Sequence, residues 1–321
     1  METFSNQASA TRSEFGLRRL SAFLGAEITG LDLSRPLPAG VVDDLKRQHA
    51  EHGVLVFPNQ DLTSDQFMNF GRHFGELTVH PFSSSTKERP ELIIFDHKEN
   101  NPPARTDIWH TDETFKETPP MGTMLYCRIV PEIGGDTVFA NMNAIYEGLS
   151  PKMQNFLAGL EAVHDFKPFK ALFSKTEQGR TRLHQYEEIY PPVTHPVICL
   201  HPITKKKILF VNKLFTLFIK GMEEEESEGI LNLLYRKIHT QEYQYRHRWK
   251  PNMIVLWDNR LVQHSAVHDY YPQRRLMERV TIKGPKVLYA DEPADIDEVR
   301  RYLMPPITAF EGVREKRQHE L

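Results

Sequence analysis

The run His110-Thr111-Asp112 sets an imidazole and a carboxylate two residues apart. On an extended strand, residues i and i+2 project from the same side, so this spacing lets both groups reach one metal ion. The spacing alone is not distinctive. Among 15 histidines, His49-Ala50-Glu51 and His97-Lys98-Glu99 repeat it. A distal third ligand is what makes a centre, and His264 is the candidate, after apolar residues 254–257 and the polar Asp258-Asn259-Arg260. Two histidines and one carboxylate form a facial triad that leaves three cis positions for a chelating cosubstrate and dioxygen, as in non-haem Fe(II) oxygenases. The same ligands with a bound water would serve a zinc hydrolase, and a non-catalytic β-barrel binding protein is the blandest alternative. Arg275 and Arg279 follow on the next strand-like segment. Spaced by four, they share a face, and each offers a fork suited to a carboxylate or sulfonate.

Those side chains need a scaffold, and the pattern is β-rich. Strand-like segments fall at residues 18–28, 54–57, 92–95, 122–130, 136–140, 197–201, 208–212, 253–257 and 276–282. They are short and separated by turn signals, which favours a barrel or double-sheet jelly roll over a parallel βαβ sheet. No glycine-rich phosphate loop follows any of them, so a dinucleotide fold has no support. Residues 40–51 carry Val41, Val42, Leu45 and Ala50 at helical spacing and stop at Gly53. Thr63 or Ser64 caps a second helix with Phe67 and Phe70 on one face. Glu223 to Glu226 open a third helix, where acidic groups suit the positive end of the helix dipole. Residues 1–16 read as frayed and 17–321 as one domain, with a helical and loop insertion at about 145–205.

Composition narrows the function further. Of 321 residues, 40% are hydrophobic and 26% charged, the mixture of a folded globular protein. The formal net charge of −3 supplies no field for nucleic acid or an anionic membrane. Arg246, His247 and Arg248 amid aromatics read as an amphipathic strand. Cys127 and Cys199 lie in apolar stretches with no CxxC spacing, as buried reduced thiols do. No apolar run approaches a membrane span, so a cytoplasmic enzyme is expected.

Four blocks taken in order are more specific than any one of them: Trp109-His-Thr-Asp-Glu-Thr-Phe115, Gly134-Gly-Asp-Thr137, Trp257-Asp-Asn-Arg-Leu-Val-Gln-His264 running on to Tyr270, and Arg274-Arg-Leu-Met-Glu-Arg279. Together they resemble the taurine dioxygenase family, which includes alkylsulfate and aryloxyalkanoate dioxygenases, over residues 17–284. The resemblance implies a mainly β double-stranded β-helix (jelly roll) with flanking helices. It implies His110, Asp112 and His264 as ligands of Fe(II), with Thr137 and Arg275 on the distal carboxylate of 2-oxoglutarate and O2 as co-reactant. Arg279 matches an arginine that holds the anionic group of a small substrate. His80 matches a histidine that assists it, or is a loop histidine satisfied locally. Phe115 falls at the same pocket. The implied reaction hydroxylates a small sulfonate or sulfate ester, with aryloxyalkanoates and amine-bearing acids as alternatives, and a homo-oligomer is expected.

Two positions depart from the taurine enzyme itself. Glu113 stands where that enzyme is apolar, and Thr106 where it carries an amide that contacts substrate. A Glu113 facing the pocket would disfavour a purely anionic substrate or pair with an amine; one facing solvent would say nothing. Lys170 falls near an expected aromatic pocket residue. Trp109 and Trp257 read as core packing, and His268 as a pocket or solvent-facing group.

Overall fold

The computed structural model describes residues 14–82, 86–103 and 107–290, which fall into two compact units whose segments alternate along the chain. Thr106 and residues 1–13 of the expected frayed start lie outside the described residues.

The first unit is built on an eight-stranded sheet. Its order is Gly16–Arg19, Ala26–Thr29, Val54–Phe57, Ile254–Asp258, Gly122–Ile129, Arg275–Ile282 and Leu77–Thr78, with Ile93–His97 also paired to Arg275–Ile282. All described pairs are antiparallel except Ala26–Thr29 with Val54–Phe57. That parallel step needs a crossover, which the helix Ala39–His52 supplies. Gly53, at φ 68°, donates its N–H back to the His49 carbonyl and ends the helix one residue before the next strand. Residues 18–28, expected as one strand, are instead a hairpin of Gly16–Arg19 against Ala26–Thr29. Gly25, at φ 86°, takes the return bend that a single strand could not make.

Strand alternation gives the large sheet two different faces. One carries Leu55, Phe57, Met124, Tyr126, Ile254, Leu256, Val280 and Ile282 into a core shared with Leu45, Phe67, Met68 and Phe70 of the two helices. The helix Ser64–Arg72 is set by a capping box between Thr63 and Gln66. Its Phe67 is fully buried, a burial contributing roughly 1.5–3 kcal/mol. The opposite face carries Thr123, Cys127, Trp257, Arg275, Met277, Arg279 and Thr281, aligned across the strands by register. A second sheet of the same unit, Gln244–His247, Thr137–Asn141 and Val262–Ala266, meets this polar face: Phe139 and Trp257 lie 5.6 Å apart by ring centroids.

The second unit holds two three-stranded sheets, Thr216–Ile219 with Glu161–His164 and Val193–Pro196, and Lys207–Leu209 with Ile198–Leu200 and Leu288–Tyr289. Five helices accompany them among the described residues: Met142–Glu147, Pro151–Leu157, Lys167–Phe173, Glu177–Ile189 and Glu224–Lys237. Glu223 and Glu226 close a capping box on the last. The region at 145–205 thus contains the expected helices and Ile198–Leu200, within the expected segment 197–201, together with Glu161–His164 and Val193–Pro196, which the sequence did not announce. No described helix is long and apolar enough to cross a membrane.

Candidate active site

His264 lies in the middle of Val262–Ala266. The motif before it builds the corner where the chain leaves one sheet for the other. Arg260 closes a bidentate pair on the fully buried Asp258, with 2.8 Å from Nε to Oδ1 and 2.5 Å from Nη2 to Oδ2. The Trp257 indole N–H donates to Asn259 Oδ1 (3.0 Å), and Asn259 Nδ2 donates to Thr123 Oγ1 (3.0 Å). These bonds satisfy a turn that would otherwise bury unpaired polar groups. The His264 ring then packs against Trp257 (4.7 Å) and Phe139 (6.1 Å). Trp257 is core packing, as expected.

His110 and Asp112 are not on a regular strand. His110 Nε2 and Asp112 Oδ1 are 3.7 Å apart, but residues 112–115 form a turn in which Glu113 adopts φ 50°. A left-handed non-glycine residue costs about 1–2 kcal/mol, so neighbours must hold it. The fixing point is Thr114, fully buried. Its hydroxyl accepts from Asn212 Nδ2 and pairs with His164 Nδ1, both at 3.0 Å. His195 Nε2 lies 2.9 Å from the Thr114 carbonyl and 3.0 Å from that of Lys116, so it carries the proton and donates. Burial pushes the His164 imidazole well below its ordinary pKa and lowers that of His195. Sequence reading missed this network, because its partners lie 50 to 98 residues from Thr114.

One donor atom each from His110, Asp112 and His264 lies within 4.8 Å of the others, and all three residues are buried. Two imidazole nitrogens and a carboxylate oxygen gathered at this range suit a divalent transition metal, Fe(II) included.

Arg275 is the other chemically pointed group. Its guanidinium is buried, with Nε donating to the Gly135 carbonyl at 3.2 Å. The faces of Trp249 and Tyr270 lie 5.9 and 5.7 Å from it, and His97 Nδ1 meets Tyr270 Oη at 2.8 Å. No carboxylate pairs with Arg275 among the described residues; the nearby Asp136 is taken by Arg246 at 2.6 Å. A buried guanidinium without a counter-ion is costly unless an anion comes to it. Thr137 stands two residues beyond Gly135. Arg279, half-buried, shares the face of Arg275 two pleats further along the strand.

The remaining candidates are placed as follows. Glu113 is buried, 2.5 Å from Lys116 Nζ, so neither solvent nor an unpaired negative charge describes it. Phe115 packs edge-on to Phe166, Phe169 and Tyr190. His80 is buried, and its Nδ1 accepts the Phe82 N–H at 3.2 Å. Lys170 is tied to Asp165 (3.0 Å) and Glu187 (3.3 Å) and lies over the Phe166 ring. His268 is half-buried near Tyr270. Cys127 and Cys199 are both buried; burial pushes the Cys127 thiol up to about 12, far from a reactive thiolate.

A mainly β fold with a buried His-Asp-His cluster is the setting of a dioxygenase centre, and sequence comparison agrees. The model of the taurine catabolism dioxygenase TauD, TfdA family matches residues 16–281, and the chain belongs to that family. It is 36% identical, over 83% of its length, to an alpha-ketoglutarate-dependent sulfonate dioxygenase of Saccharomyces cerevisiae, and spans 66% of that protein. It is 31% identical to an alpha-ketoglutarate-dependent sulfate ester dioxygenase of Pseudomonas putida, covering 87% of this chain and 94% of the other. A 2,4-dichlorophenoxyacetate dioxygenase of Cupriavidus pinatubonensis is 29% identical over 82% of this chain and 95% of its own. Among solved structures, a taurine dioxygenase from Burkholderia xenovorans superposes with a TM-score of 0.73 at 29% identity, covering 85% of this chain and 92% of that one.

Proposed function

We propose that this protein is an Fe(II)- and 2-oxoglutarate-dependent dioxygenase that hydroxylates a small sulfonate or sulfate ester, giving succinate and carbon dioxide. The observation that carries this is the buried convergence of His110, Asp112 and His264. In this reading those three residues hold the iron, and the sheets of the first unit belong to a jelly roll. The family match, residues 16–281, crosses segments of both units, which supports a single domain with an insertion at about 145–205 in the reading of one domain over 17–321, whose residues 291–321 lie outside the described ones.

Iron, when bound, supplies the activation of dioxygen coupled to oxidative decarboxylation of 2-oxoglutarate. The chain's own part is placement. Arg275 neutralises the distal carboxylate of 2-oxoglutarate, and Thr137 adds a hydroxyl. Trp257 and Phe139 wall one imidazole with apolar surface and keep water from it. Arg279 takes the substrate's anionic head, with His80 beside it and Phe115 as apolar wall. Because Glu113 is neutralised by Lys116, it does not repel such a head, and this favours an anion over an amine-bearing acid. An aryloxyalkanoate presents the same kind of anion and is the second reading, supported by the Cupriavidus relative.

The test is to add 2-oxoglutarate anaerobically to the Fe(II)-loaded protein and record the weak visible charge-transfer band of a chelated cosubstrate. The band is expected in the wild type and absent from His264→Ala. Its absence from folded, iron-loaded wild type would overturn the assignment and favour the zinc-hydrolase alternative.

A further inference from the structure

The groups around Arg275 contain a relay that the cosubstrate reading does not use. Tyr245, His247 and Trp249 alternate along one strand and its continuation, so they share a face. Register sets His247 opposite Thr137 and Tyr245 opposite Phe139, while Thr137 pairs with Ala266 on the far side and Phe139 with His264. The relay therefore occupies the same sheet as His264.

A hydrogen bond, a ring contact and a second hydrogen bond link these groups to Thr137. Tyr245 Oη meets His247 Nδ1 at 2.9 Å, and the His247 ring meets Trp249 edge-to-face at 4.5 Å and 88°. The Trp249 indole N–H donates to Thr137 Oγ1 at 3.0 Å. An indole nitrogen can only donate, so the Thr137 oxygen is an acceptor in this bond and its own proton is left for another acceptor. Charge-assisted bonds to an anion are roughly twice as strong as neutral ones. The same indole presents its ring to the guanidinium of Arg275. Burial and the charge of Arg275 hold the His247 imidazole down at about 3, so a neutral group stands behind the indole and adds no competing cation.

We propose that Trp249 is a positioning residue for the cosubstrate: its N–H commits the Thr137 hydroxyl to donate toward a carboxylate, while its ring aligns the Arg275 guanidinium for the same carboxylate. This rests on the cosubstrate reading of Thr137 and Arg275 given above. It goes beyond that reading by assigning their orientation to a residue that touches neither substrate nor metal.

The experiment measures anaerobic 2-oxoglutarate binding by Fe(II)-loaded wild type, Trp249→Phe, Thr137→Val and the double variant. Phenylalanine keeps a ring and removes the N–H. Trp249→Phe is expected to weaken 2-oxoglutarate binding about ten-fold and raise its KM alike, with kcat at saturating cosubstrate within about two-fold. The double variant should bind no more weakly than Thr137→Val, since both act through one hydroxyl. Wild-type affinity in Trp249→Phe alongside weak binding in Thr137→Val overturns the relay and leaves the cosubstrate site standing. No 2-oxoglutarate binding by wild type overturns both. A second measurement does not need Trp249→Phe to fold. In zinc-substituted protein, the indole N–H resonance displaced by Thr137→Val belongs to Trp249, and 2-oxoglutarate should shift it in wild type. A resonance that stays still on saturation also overturns the proposal.

Discussion

Arg275 and Arg279 sit four residues apart on one strand face, yet their settings differ. The first is buried under two aromatic rings, and the second is half-exposed. Arg275→Ala is therefore expected to raise the 2-oxoglutarate requirement by at least ten-fold, read as KM for the cosubstrate. Arg279→Ala should instead leave 2-oxoglutarate binding intact and weaken the primary substrate, by about 2–5 kcal/mol where the substrate's anionic head buries the charge pair on binding. A screen of sulfonates, sulfate esters and aryloxyalkanoates with succinate as readout checks both. An Arg279→Ala enzyme with unchanged kinetics on every accepted substrate would remove that arginine from the site. At this scale the sequence names its candidates directly, because metal ligands and anion forks are constrained by residue type. It was least informative at Glu113. Glutamate carries no signal for a left-handed turn, so neither that conformation nor its pairing with Lys116 could be read in advance.

Elements were legible wherever their local chemistry was complete. Thr63 and Gln66 spell a capping box in four residues, and the helix begins there. Thr63→Ala should cost about 1 kcal/mol of stability, measurable as a lower denaturation midpoint with unchanged slope. The strands Glu161–His164, Val193–Pro196 and Thr216–Ile219 were not legible. Their buried positions include His164, His195 and Thr216, polar residues that break the apolar alternation by which a half-buried strand is recognised. Those side chains are buried because they bond to the Thr114 turn and to one another, and no local window contains both ends of such bonds. The strand holding His264 was hidden similarly, since Gln263, His264 and Ser265 are all buried polar groups.

For the whole molecule, these buried imidazoles set an acid limit. His247 is held at about 3, and His164 well below its ordinary value of 6.5, each mainly by burial. The unfolded chain binds protons at these sites near pH 6.5 while the folded chain does not. Stability is thus fully present above that pH and falls as pH drops below it, by up to about 1.4 kcal/mol per unit for each such histidine. For His247 the loss continues down to about pH 3. Unfolding free energies measured between pH 7.5 and 5 should fall with this sign, and His247→Phe should lessen the slope. A flat profile would contradict the burial of neutral imidazole.

The two ends of the large sheet bear on how copies of this chain meet. An exposed outer strand offers unpaired backbone groups to any other strand that approaches. At one end stands Gly16–Arg19, exposed along its whole length, with Arg18 and Arg19 both presented to solvent. At the other stand Leu77–Thr78, two residues long, and Ile93–His97, five residues long, both paired to Arg275–Ile282. Two copies meeting through the first would bring four guanidinium groups together. Charge on the border Gly16–Arg19 therefore works against edge-to-edge growth of the sheet through that strand.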